Sequence, residues 1–199
     1  MEGHEEINWL WMSAKIFAVI FLVGLNGFFV AAEFALVKVR ETQLQPLLAK
    51  KSRRAKLANH IISNLDAFLS ACQLGITLAS LALGWIGEPI FEQLLEPVYT
   101  WLEIQSDTLR TSISFGVGFS VITVMHIVIG EMAPKSLAIQ RPLPTSLWVA
   151  YPMVWFYRIT YPVVQALNWS SLLILKVCGI QAANESHNNL SDDEIRLLV

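Results

Sequence analysis

The sequence predicts an all-α membrane protein, with three transmembrane helices and a belt of juxtamembrane, interfacial helices. Three observations carry that expectation. Of 199 residues, 54% are hydrophobic and 15% charged, against about 45–50% and about 25% in soluble domains. Long apolar runs recur three times in the first two thirds of the chain. Basic and acidic residues are sorted into different loops between those runs. The net charge of −2, from 14 basic and 16 acidic residues, provides no field for a polyanion, so nucleic acid is not an expected partner.

The first span is expected at about residues 16–37, where Asn26 and Glu33 are the only strongly polar residues. Its length suffices to cross ~30 Å of hydrocarbon at ~1.5 Å per residue. Glu2, Glu5 and Glu6 stand where a cleaved signal peptide would be basic, which favours a retained helix. The second and third spans are expected at about 61–86 and 111–130, free of Lys and Arg and interrupted by Asp66 and His126.

Loop charge sets the expected orientation. Lys38, Arg40, Lys50, Lys51, Arg53, Arg54 and Lys56 follow the first span, half of the 14 basic residues in the chain. Glu88, Glu92, Glu96, Glu103 and Asp107 follow the second. The positive-inside rule therefore puts the first of these loops in the cytoplasm, the N-terminus outside and the C-terminus in the cytoplasm of a multi-pass protein. Leu44, Leu47, Leu48, Ala55 and Ala58 give the basic stretch an apolar face suited to the inner leaflet.

Residues of about 145–180 are apolar but carry Pro152, Pro162, Arg158 and Lys176, with Tyr151, Trp155, Tyr157, Tyr161 and Trp169 among them. Prolines and amphipathic aromatics suit helices along the inner interface, with a fourth span as the alternative. Residues 181–199 read as a polar linker followed by a helix start, since Ser191 and Glu194 form a capping box. A helix start so near Val199 suggests a fragment of a longer protein. Cys72 and Cys178 lack the spacing of a metal or redox pair and read as packing residues.

Polar residues inside a membrane helix are costly, so their spacing is informative. Asp66, Ser70, Gln73, Thr77 and Ser80 follow steps of four and three along one helix face. Helix–helix hydrogen bonding explains such a row as well as a site does. Asn26 and Glu33 also share a face, with Gly24 and Gly27 beside the amide and Lys38 near enough to explain Glu33 by an interfacial position. At the end of the third span stands Gly130-Glu131-Met132-Ala133-Pro134-Lys135. Pro134 has no N–H, so the Gly130 carbonyl loses its helical donor beside a carboxylate. This arrangement suits a hard cation, while a plain helix stop is the bland alternative.

All these groups are oxygen donors, which suit Mg²⁺, Ca²⁺ or Na⁺ rather than zinc or copper. His126 is expected to be packed or hydrogen-bonded, with proton relay as the alternative. No nucleophile elbow, phosphate loop or HExxH motif occurs, so an enzyme is not expected.

Three segments occur in order: Asn26-Gly-Phe-Phe-Val-Ala-Ala-Glu-Phe-Ala-Leu, Leu69-Ser-Ala-Cys-Gln-Leu-Gly-Ile-Thr-Leu-Ala-Ser and Gly130-Glu-Met-Ala-Pro-Lys. Together they resemble the membrane domain of the CorC/CNNM family, over about residues 10–199. The resemblance implies a homodimer, followed in the full protein by a cytosolic pair of nucleotide-binding CBS domains. It also implies Mg²⁺ transport at the plasma membrane, mostly efflux driven by Na⁺ entry. By motif position the ion site would fall on Asn26 with the neighbouring backbone of Gly27, on Ser70, and on Gly130 with Glu131. This chain has Asn26 where many relatives have Ser, and Ile76-Thr77 where they have an Asn pair. Gln73 or Thr77 is left to supply the missing oxygen. The resulting expectation is an alternating-access Mg²⁺ exporter, against a membrane scaffold that affects cation balance indirectly, or a cation channel.

Overall fold

A computed structural model describes residues 9–178, and every regular element among them is helical. Helix α1 (Trp9–Lys38) is followed by α2 (Glu41–Ala49), α3 (Arg53–Ile62), α4 (Leu65–Trp101) and α5 (Asp107–Met125). A π-helical segment (His126–Met132) then leads into α6 (Ala133–Gln140) and α7 (Pro142–Val177). Three stretches are long and apolar enough to cross a bilayer: Trp11–Lys38, Leu65–Ile86 and Asp107–Gln140. The expected 181–199 linker and its capping box lie outside the described residues, as do Glu2, Glu5 and Glu6.

The first span starts at Trp11 and the third extends over Asp107–Gln140, each longer than expected, and the helix of the second differs at both ends. The second span starts at Leu65 rather than residue 61, because α3 ends at Ile62. There Ser63 Oγ donates to the Asn59 carbonyl at 3.0 Å and Asn64 Nδ2 to the His60 carbonyl at 2.9 Å. Such short side chains compete with the helical ladder and end it. At the other end α4 continues to Trp101 through the acidic stretch that reads as a loop. Charge reports which side of a membrane a segment occupies, whereas glutamate is itself a good helix former. The real turn is confined to residues 102–106, where Arg110 donates to Glu96 Oε1 at 3.0 Å and to the Ile104 carbonyl at 2.6 Å. Tyr99 Oη and Ser114 Oγ, 2.7 Å apart, fasten α4 antiparallel to α5.

The largest core cluster joins Phe29 and Leu36 of α1, Ala58 and Ile61 of α3, Phe68 and Cys72 of α4, and Val149 and Met153 of α7. Ring pairs at its edge tie Phe29 to Phe156 at 4.6 Å and Phe68 to Tyr157 at 4.5 Å. The apolar face of the basic segment is part of this core: Leu44, Ala55 and Ala58 are fully buried against protein, with Leu47 and Leu48 packed beside them. That corrects the expectation that this face lies on lipid. Lys50, Lys51, Arg53, Arg54 and Lys56 stay exposed, as an amphipathic pair of helices requires.

Where interfacial helices are expected over about 145–180, the chain forms one continuous helix, α7, with Pro152 and Pro162 inside it. Its longer first part, through Val164, belongs with the elements above. The remainder, from Gln165, forms a separate unit whose described part exposes Trp169, Leu172, Ile174 and Val177. Cys72 is buried 4.0 Å from Met153 Sδ, as a packing residue should be. Cys178 is exposed, so an apolar neighbourhood in sequence did not become a core around it.

Candidate functional site

The polar groups that meet inside the protein come from α1, α4 and the π segment. Two glycines let the backbones approach. A Cβ on Gly27 would stand 2.9 Å from Pro134 Cγ and 3.4 Å from the Ile129 carbonyl oxygen. A Cβ on Gly130 would stand 3.2 Å from Asn26 Nδ2 and 3.6 Å from the Val23 carbonyl oxygen. Helix α1 therefore runs directly against the turn that carries the Gly130–Lys135 motif.

Pro134 does not stop the helix as the sequence suggests; it is absorbed by the widened turn. The Ala133 N–H bonds to the Val128 carbonyl, five residues back, which is the π pattern. The Gly130 carbonyl, expected to be free, accepts from Asn26 Nδ2 at 3.0 Å. Asn26 is fully buried. An unpaired buried carbonyl would cost about 1–3 kcal/mol, and the amide removes that cost.

The π segment also decides where His126 points. In an α-helix residues five apart lie ~140° from one another. The extra residue in a π turn brings them toward one face. His126 Nε2 accordingly sits 2.9 Å from Glu131 Oε1. With an ionised carboxylate, which only accepts, the hydrogen of this bond sits on Nε2. Ser80 Oγ lies 3.5 Å from the same nitrogen and donates to Asn26 Oδ1 at 3.4 Å. A chain of polar contacts thus runs from Gly130 through Asn26, Ser80 and His126 to Glu131. Glu131 closes it with a side chain that is 46% exposed and so remains reachable.

Of the expected site residues, Asn26, Gly27, Gly130 and Glu131 are brought together. Ser70, Gln73 and Thr77 lie elsewhere along α4. Ser70 is ten residues, ~15 Å of helix axis, before Ser80. Its hydroxyl donates to the Asp66 carbonyl at 2.9 Å, and that of Thr77 to the Gln73 carbonyl at 2.8 Å. Gln73 and Thr77 are exposed. Ser80 and His126 belong to the network although the sequence did not mark them as site residues. The three-and-four spacing of the α4 row held the signal for Ser80, whereas nothing in a sequence announces the π turn that redirects His126.

Glu33 is partly buried, and the positive charge that acts on it is Lys135, the last residue of the motif. Lys135 Nζ also stands 4.5 Å over the Phe34 ring. Among the described residues no three or more His, Cys, Asp or Glu side chains gather as a metal cluster. Any cation held here would rely on one carboxylate with neutral and backbone oxygens.

Residues 17–199 match the family model of the cyclin M transmembrane N-terminal domain. The chain belongs to that family. The CorC/CNNM resemblance read from three short segments is therefore membership over most of the chain, and the protein is a membrane protein. This cyclin M domain is 44% identical over 185 residues to the UPF0053 protein YugS of Bacillus subtilis, covering 93% of this chain and 43% of that protein. It is 42% identical over 178 residues to YhdT of the same organism, covering 89% and 38%. The chain thus spans about two fifths of the length of these relatives. The family is one of transmembrane domains, and the polar network described above lies where α1 meets the π segment.

Proposed function

We propose that this domain carries Mg²⁺ out of the cell by alternating access, driven by Na⁺ entry. It would do so as a homodimer in the plasma membrane, with its N-terminus outside and its C-terminus leading to cytosolic nucleotide-binding CBS domains. One observation carries the reading. The buried Asn26 amide bonds the Gly130 carbonyl, next in sequence to Glu131, where Gly27 and Gly130 let α1 pack against the π segment and Pro134.

The chemistry suits a transported ion better than a resident one. Mg²⁺ prefers hard oxygens and retains several waters, so a carboxylate, a carbonyl and an amide oxygen suffice for partial coordination. A site with a single carboxylate binds weakly enough to release, as transport requires. Gly27 is buried against Pro134, so its backbone would meet the ion once α1 and the π segment part. Ser70 and Thr77 both carry hydroxyl oxygens, and that of Thr77, whose hydrogen goes to the Gln73 carbonyl, keeps lone pairs for a cation. With Gln73 they offer further neutral oxygens when α4 moves relative to α1. The basic α2–α3 segment marks the cytoplasmic side.

The test is Mg²⁺ flux through the full-length protein in liposomes, with and without a Na⁺ gradient. Glu131→Gln keeps the size of the side chain and an acceptor for His126 but removes the charge. Flux is expected to vanish while the dimer and the melting temperature persist. Unaltered flux in that variant would overturn the site. Absence of flux in the wild type would point to a scaffold, and Na⁺-independent flux near diffusive rates to a channel.

A further inference from the structure

Between α4 and α5 lies a cavity of about 250 Å³ that neither the motifs nor the family assigns to a role. Its walls are apolar, with Leu83, Phe115 and Phe119 among them. Its polar lining is concentrated at one end, where Thr123 stands beside Ser80 and His126. Helices α4 and α5 are antiparallel, so that end is the one nearer the π segment. Ser80 and His126 are also the two side chains that touch Asn26 and Glu131. The cavity therefore ends on the outer surface of the polar network.

Its size and chemistry match a path for a hydrated cation. Six waters around Mg²⁺ occupy ~180 Å³ at ~30 Å³ each, which the cavity can contain. Apolar walls above a polar floor resist ion entry by dewetting while the path is closed, and conduct once it is wetted. An ion leaving Glu131 would meet the Ser80 hydroxyl on this floor before the apolar walls.

We propose that the α4–α5 cavity is the approach that connects the outer side of the membrane to Glu131, with Ser80 and His126 forming the floor that the cation crosses. This rests on the cation-site reading above. Gly84 supplies a direct test. It lines the cavity, and a Cβ placed on it meets nothing within 4 Å. Gly84→Leu thus starts its side chain in open space at the cavity wall, narrows the path and improves helix propensity.

In proteoliposomes of the full-length protein, Gly84→Leu is expected to lower the initial Mg²⁺ flux at least fivefold. Calorimetric Mg²⁺ affinity of the same protein in detergent should stay within twofold of wild type. Wild-type flux in Gly84→Leu overturns the route. Should that variant fail to assemble, Thr123→Cys in a Cys178→Ser background provides the second measurement. A membrane-impermeant cationic methanethiosulfonate applied from outside should cut its flux at least fivefold, and saturating Mg²⁺ should slow the modification. Full flux after complete modification, or block only from the inner side, overturns the proposal. Retained flux in Glu131→Gln removes the cation site itself; lost flux there with full flux in Gly84→Leu removes only the route.

Discussion

Two polar sets mark the membrane helices, and the fold treats them differently. The row on α4 is regular in sequence, yet Ser70 and Thr77 direct their hydroxyls into their own helix, and Gln73 and Thr77 face outward. The set at the end of the third span is irregular, yet Gly130 and Glu131 bond to partners from outside the regular ladder. The difference comes from backbone geometry. Where helices keep their ladder, short polar side chains can satisfy themselves locally. Where Pro134 and the π turn disturb it, a carbonyl and a carboxylate need partners from elsewhere, and the fold supplies them. Polar spacing identifies a face, whereas a broken ladder identifies a meeting point.

The strongest way to break this contrast is to separate α1 from the π segment. Gly27→Val would place a methyl-bearing carbon within 2.9 Å of Pro134 Cγ. Overpacking of this kind costs about 3 kcal/mol at the upper end of its usual range. Chemical unfolding in mixed micelles should show that loss, together with loss of Mg²⁺ binding. Wild-type stability would mean that the two backbones do not depend on close approach.

Asn26→Leu should come next. It leaves the Gly130 carbonyl without its amide donor in a buried place, at a cost of about 2 kcal/mol. The same unfolding assay measures it. Ser80→Ala removes one donor to Asn26 across 3.4 Å and should cost about 1 kcal/mol or less. If Ser80→Ala proved more destabilising than Asn26→Leu, the α4 row rather than the π segment would be the structural anchor.

This gradient also explains how much was legible in the sequence. The three spans follow from hydropathy because a bilayer imposes length and composition on any helix that crosses it. Asn26, Gly130 and Glu131 were legible because a polar residue or a proline at membrane depth has few explanations. The buried face of α2 and α3 was misplaced onto lipid because the same amphipathic pattern fits a bilayer and a protein core equally. The extent of α4 was missed because acidic residues were read as a loop. Ser80 stands in the legible α4 row and His126 is expected to be hydrogen-bonded, but that the two meet is not legible. Their partnership depends on where two helices cross and on one added residue in a turn, and neither is a property of local sequence.

The smallest expected effect is the most discriminating. Thr77→Val removes a hydroxyl whose hydrogen already goes to the Gln73 carbonyl at an exposed position. Replacing such a group with an isosteric β-branched residue should change stability by less than about 0.5 kcal/mol. If Thr77 offers its oxygen to the ion during transport, Mg²⁺ flux should nevertheless fall severalfold in the same preparation. Stability and flux would then separate at α4 while they move together at Gly27. A stability loss above about 1 kcal/mol would instead show that the α4 row already holds the resting fold together, which would remove the contrast between the two regions.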